Sequence, residues 1–230
     1  TKDLSWAGSS GDTSNKGLND FCRKVIAEMN RLGMMVDIAH VSDKTFWDVL
    51  ETSKAPVFSS HSSCRTLSSI ARNMSDDMIR SVAKSGGVVQ INLGCEFVSQ
   101  RSADSSAWSN PAVAEAARQA TASITDPAER QAAIDKFLAS KYQQATIDDV
   151  VAHIDHIRAI AGVDYVGLGS DFDGVTCVPS GLDDVSKWPN LTRKLLEKGY
   201  TPAEIRKVYG LNLLRFMKAV EKAATLASSR

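Results

Sequence analysis

Two apolar rhythms alternate along this 230-residue chain, one at helical spacing and one as short unbroken runs, and their order sets the expected fold. Leu18, Phe21, Cys22, Val25, Ile26, Met29 and Leu32 recur at helical intervals and Gly33 follows as a stop, predicting an amphipathic helix over 17–32. Met34 to Ala39 then reads as a buried strand. Ser42 can cap a helix over about 43–53, with Phe46, Trp47, Val49 and Leu50 facing inward. Pro56 to Ser60 reads as a second strand. After a Ser-rich loop, Ser75-Asp76-Asp77 opens a helix with its acidic residues where the dipole favours them, and Ser85-Gly86-Gly87 closes it. Gly87 to Asn92 is the third strand.

From about 95 to 145 the texture changes to an Ala-, Ser- and Gln-rich stretch, read as a helical insertion rather than a domain. Asp126-Pro127-Ala-Glu129 has the cap, the first-turn proline and the third-position Glu that predict a helix over 127 to about 143. Ile147, Val150, Val151, Ile154, Ile157 and Ile160 form the apolar face of a helix over 147–161, and Asp164 to Asp171 gives the fourth strand. Thr201-Pro202-Ala-Glu204 is a second capping box, and Gly210 separates its helix from a last one carrying Leu213, Leu214, Phe216, Met217 and Val220. Strands alternating with helices imply a parallel α/β sheet, but only about four such units are present, whereas a closed (β/α)8 TIM-type barrel needs eight.

In parallel sheets ligands bind at the carboxyl ends of the strands, where His40, His61 and Asp171 fall. Strand alternation puts Val36, Ile38 and His40 in phase, likewise Val57, Ser59 and His61, and Tyr165, Gly167, Gly169 and Asp171. The gap from His40 to His61 equals one helix plus its loops, which places them on adjacent strands. Strands lie about 4.8 Å apart, and a zinc with nitrogen ligands at about 2.0–2.1 Å fits between two such side chains. Taken singly, each residue also has a plain structural role: a strand-end histidine can be a hydrogen-bonded framework residue, Arg72 a surface or capping arginine, and Asp171-Phe-Asp173-Gly174 an acidic turn. His153 and His156 lie on a helix far from a strand end, and packing or a solvated face suits them better than a metal.

Composition narrows the partners. Lys+Arg and Asp+Glu are each 27, so the net charge is zero and neither nucleic acid nor a membrane surface is favoured. Cys22, Cys64, Cys95 and Cys177 form no CxxC pair, which argues against a zinc ribbon or thioredoxin-type site and leaves disulfide pairing and compartment open. No apolar stretch approaches the roughly 18–20 residues of a membrane span, and Thr1-Lys-Asp-Leu-Ser-Trp6 is expected to lie within a longer protein.

Seven segments in order carry a family resemblance: Gly33-Met-Met-Val-Asp-Ile-Ala-His40-Val-Ser, Ser59-Ser-His61-Ser-Ser, Ala71-Arg72-Asn73-Met-Ser-Asp76-Asp77, Gly86-Gly87-Val-Val-Gln-Ile-Asn92, His153-Ile-Asp-His156-Ile, Val166-Gly-Leu-Gly-Ser-Asp171-Phe-Asp173-Gly174 and Gly210-Leu-Asn212-Leu-Leu-Arg215. Together they resemble the membrane (renal) dipeptidase family, the zinc-dependent M19 peptidases of the amidohydrolase superfamily; the 95–145 stretch resembles it least. The resemblance implies a TIM-type barrel with a two-zinc centre. The histidines matching His40 and His61 would bind one zinc, Arg72 would clamp the substrate's terminal carboxylate, and Asp171 would contact the substrate amine and handle protons. The implied reaction is dipeptide hydrolysis by a metal-bridged hydroxide.

The family's upstream His-x-Asp ligands, its bridging Glu and a further substrate-binding His have no counterpart here. The chain (1–230) therefore resembles the C-terminal part of a single barrel domain, about its last four strand-helix units, and is expected to require an N-terminal segment. A homodimer is compatible with the family. A different amidohydrolase, such as a deaminase or lactonase, and a non-catalytic half-barrel fragment are the alternative readings.

Overall fold

The fold is that of a computed structural model describing residues 5–11 and 14–228, with side chains to 224. Asn19 caps α1 (Asp20–Leu32) by accepting from the Cys22 amide, and Gly33 ends it with a left-handed φ of 71°. There follow β1 (Val36–Asp37), α2 (Asp43–Thr52), β2 (Val57–Ser59), α3 (Asp76–Ser85) and β3 (Val88–Asn92). Next come α4 (Cys95–Val98), α5 (Gln100–Ser105), α6 (Pro111–Ala120), α7 (Pro127–Lys141), α8 (Ile147–Ile160) and β4 (Val166–Ser170). The chain closes with α9 (Trp188–Glu197), α10 (Pro202–Arg206) and α11 (Asn212–Ser228).

The four strands pair in chain order, all parallel, as the alternation of elements predicts. They are shorter than their apolar runs: β1 has one neighbour, β2, so its ladder holds only Val36 and Asp37, and Met34 and Met35 stay largely exposed. Ser42 and Ser75 cap α2 and α3 as expected. In α2, however, Trp47 turns outward, 43% exposed, and Asp48 takes the inward position. Asp48 is buried because the Leu18 amide and Lys44 hydrogen-bond it and Arg23 faces it. Helix α9, with Leu191 and Leu195 buried, is an addition to the predicted elements.

One face of the sheet meets the outer helices. Val36, Val57, Val89, Ile91 and Val166 pack there with Phe46 and Val49 of α2, Ile79 and Val82 of α3, and Ile154 and Ile157 of α8. The opposite face is lined at its base by the register partners Phe58 and Val88, which meet Phe216 and Val220 of α11. Helix α11 is pinned beneath the amino ends of the strands: Arg215 donates to the carbonyls of Gly86, Gly87 and Asp164 at 2.7, 3.0 and 2.9 Å. Asn212 donates to Val163 and Val166 at 2.7 and 2.8 Å. That end of the sheet is therefore closed.

Residues 95–145 form α4 to α7, and a disulfide from Cys95 to Cys177 ties the start of this stretch to the loop after β4. Cys22 and Cys64 are buried free thiols. Among the described residues no helix is long and apolar enough to cross a membrane.

Candidate active site

His40 and His61 lie just beyond β1 and β2, and their Nε2 atoms are 2.9 Å apart. Simple alternation would send both toward the helices with Val36, Ile38, Val57 and Ser59. The backbone corrects this at His40, whose φ of 66° is left-handed. The same device recurs at the end of β4, where Ser170 and Asp171 have φ of 43° and 74°. Among the described residues only one other non-glycine residue, Asn15, has positive φ. Such conformations cost about 1 kcal/mol or more each and concentrate at functional sites.

Three residues the sequence reading did not single out hold this geometry. Asp37 accepts the amides of Ala39 and Ser60, both at 3.0 Å, and the Ser60 hydroxyl at 2.5 Å. Because that hydroxyl donates to Asp37, it accepts at 2.7 Å from His61 Nδ1, which must carry the ring proton. The Nε2 lone pair of His61 is then directed at His40. Asn92, wholly buried, donates to Asp171 Oδ2 at 2.9 Å while its own carbonyl accepts the Gly94 amide at 2.7 Å. The signal for Asp37 and Asn92 was a polar residue inside each apolar run.

Glycines let the strands converge. A Cβ on Gly169 would sit 2.2 Å from the Ser60 carbonyl, and one on Gly174 would sit 2.3 Å from Asp171 Oδ1. Arg72 donates to the His61 carbonyl at 3.0 Å and to Ser62 at 3.3 Å, and its buried Nε has no partner.

The four predicted residues share one electrostatic environment. Burial, with Arg72 and His61 adding to it against the opposing charge of Asp171, pushes His40 down to about 4. Burial and Arg72 likewise lower His61. Burial lowers Arg72 to about 10 against the pull of Asp171 and Asp37, leaving it charged at neutral pH. The structure thus assembles two neutral imidazoles, a guanidinium and a carboxylate. Two nitrogens on a tetrahedral zinc stand roughly 3.3 Å apart, so the 2.9 Å pair fits such an ion after a shift of a few tenths of an ångström. It supplies half of a four-ligand set; among the described residues no group of three or more His, Cys, Asp or Glu is placed to hold a metal. His153 belongs elsewhere: it is fully buried, accepting the Cys64 amide and paired with the Val98 carbonyl.

A parallel α/β sheet thus gathers two neutral imidazoles, a guanidinium and a carboxylate at its carboxyl edge. The chain belongs to the membrane dipeptidase family, peptidase family M19, whose family model matches residues 1–230. It is 38% identical over 221 residues to an uncharacterised dipeptidase of Schizosaccharomyces pombe, covering 96% of this chain and 44% of the yeast protein. The crystal structure of the probable dipeptidase PvdM from Pseudomonas aeruginosa matches with a TM-score of 0.80 at 29% identity, over 95% of this chain and 60% of that one. A Rhodobacter sphaeroides metallo peptidase, solved with a phosphinate mimic of the dipeptide L-Ala-D-Ala, matches with a TM-score of 0.70 at 26% identity, over 93% and 50% of the two chains. The chain spans about half the length of the curated relative it matches.

Proposed function

We propose that this chain supplies the last four strand-helix units of a (β/α)8 barrel, and with them half of the active site of a zinc-dependent dipeptidase completed by a further polypeptide segment. The observation that carries this reading is the His40–His61 nitrogen pair beside Arg72 and Asp171 at the carboxyl edge of an open sheet. The open edges support the need for a further segment. Beside β1 an apolar groove of about 370 Å³ is lined by Leu18, Cys22, Ile26, Met29, Val36 and Val49, the kind of surface that a neighbouring strand-helix unit buries.

His40 and His61 would hold one of two zinc ions through neutral Nε2 atoms, and Asp37, acting through Ser60, would orient His61. When bound, the metals supply Lewis acidity toward the scissile carbonyl and lower the pKa of water. The residues of this chain do the rest. Arg72 receives the terminal carboxylate of the dipeptide with its free Nε and a neighbouring N–H, a bidentate grip. Asp171, with Oδ2 held by Asn92, keeps Oδ1 to bind the substrate amine, to accept the proton given up by the attacking water and to pass it to the departing amine.

The complete protein containing this chain is expected to bind roughly two zinc ions and to hydrolyse simple dipeptides such as Ala-Ala, and the isolated 230-residue chain to be inactive. Zinc content unchanged in a His40→Ala/His61→Ala double variant would overturn the ligand assignment. Full activity of the isolated chain would overturn the half-site. Turnover of an amino-purine or a lactone without dipeptide hydrolysis would move the site to a deaminase or lactonase.

A further inference from the structure

A second cavity, of about 610 Å³, lies between the 95–145 stretch and the loop after β4, lined among others by Glu96, Trp108, Leu138, Tyr142, Cys177 and Val178. It opens at the carboxyl end of the sheet, because Glu96 follows β3 and Cys177 follows β4, and the disulfide holds the two loops together. A chain of contacts leads to it from the active site: the Arg72 guanidinium lies 5.6 Å from the Phe97 ring centre, and Phe97 meets Trp108 edge-on at 5.7 Å.

Ser105, Ser106 and Gln144, which line this cavity, are hydrogen-bonded within the chain; Tyr142 and Glu96 set it apart. The Tyr142 hydroxyl is buried without a hydrogen-bond partner. Burial and the neighbouring Glu96 carboxylate raise its pKa, so it remains a protonated donor. Glu96 is only 8% exposed, and no cation pairs with it among the described residues. A carboxylate withdrawn from water without a counter-charge is costly, and a cation delivered to it from outside removes that cost. The surrounding Leu138, Val178 and Trp108 suit an aliphatic stem, and an indole face favours a cation over it.

We infer that this cavity is a specificity pocket for a basic side chain, lysine or its homologues, at the carboxyl-terminal residue of a dipeptide whose terminal carboxylate is held by Arg72. The inference rests on the dipeptidase reading for its catalytic consequence, but the pocket's affinity for an alkylammonium can be measured without turnover.

The test compares kcat/KM for Gly-Lys and Gly-norleucine in the complete zinc-loaded protein and in its Glu96→Gln and Glu96→Lys variants. Gly-Lys should be preferred at least tenfold by the parent, the preference should vanish with Glu96→Gln, and Glu96→Lys should favour Gly-Glu instead. In parallel, n-butylamine titrated into the parent should change tryptophan fluorescence, and the change should be lost in both Trp108→Phe and Glu96→Gln. Equal use of Gly-Lys and Gly-norleucine, unmoved by either Glu96 variant, would overturn the pocket while leaving the dipeptidase reading intact. Absence of any dipeptide hydrolysis alongside a Glu96-dependent fluorescence response would overturn the dipeptidase reading and keep the cation site. Absence of that response would overturn the cation site.

Discussion

Asn92 does for Asp171 what Ser60 does for His61: each fixes one atom of a candidate site side chain and so sets where the other points. Replacing such supports is therefore expected to act on the chemistry before the fold. Under the zinc reading, Ser60→Ala should weaken zinc binding by roughly 10–100-fold, read by competition with a chromophoric chelator. Asp171→Asn should lower kcat by about 10²–10⁴-fold with bound zinc unchanged. Arg72→Lys should raise KM roughly tenfold or more, because an ammonium cannot present two parallel donors. The histidines were visible in the sequence because each follows a short apolar run at a one-unit interval. Their adjacency follows from the same spacing, but the left-handed turns at His40 and Asp171 do not, because strand alternation does not foresee them. Nor does the role of Asp37, which exists only once Ser60 is brought beside it across 23 residues of chain.

At the scale of elements, local signals were read well. Ser42, Ser75, Asp126 and the Thr201–Glu204 capping box all start helices where expected, because a cap needs only its own first turn. Helix α9 was missed because it has no side-chain cap; Pro189 in its first turn and the Leu191–Leu195 spacing could have located it. Gly86 ends α3 with φ of 88°, and a Cβ there would meet nothing nearer than Pro56 at 3.6 Å. Gly86→Ala should therefore cost only the left-handed penalty of about 1 kcal/mol, lowering Tm by roughly 2–4 °C. Helix α8 carries a pH dependence through His153, which burial pushes down to about 4. As pH falls below its ordinary value of 6.5, the unfolded chain takes up a proton that the folded chain refuses. Stability is thus full above that value, declines as pH falls, and stops declining near 4, a loss on the order of 3 kcal/mol. Urea unfolding at stepped pH should show this slope in the parent and a flatter one in His153→Gln.

The whole molecule is fastened at both ends of its sheet. At the carboxyl end the Cys95–Cys177 bridge closes a loop spanning 82 residues of sequence separation, a pairing that four scattered cysteines could not specify in advance. A loop of that length predicts about 4 kcal/mol of stabilisation in the chain-entropy picture. Urea midpoints measured with and without reductant should differ accordingly, and Cys95→Ser/Cys177→Ser should behave as the reduced protein does. At the amino end, Arg215 and Asn212 clasp strand-end carbonyls while Phe216 and Val220 lie beneath Phe58 and Val88. With this floor closed, the carboxyl edge is the side from which His40, His61, Arg72 and Asp171 are approached. Under the dipeptidase reading, each amino acid released would leave past the carboxyl edge by which the next dipeptide arrives, so accumulating product should slow turnover by competition, and progress curves should bend well before substrate runs out.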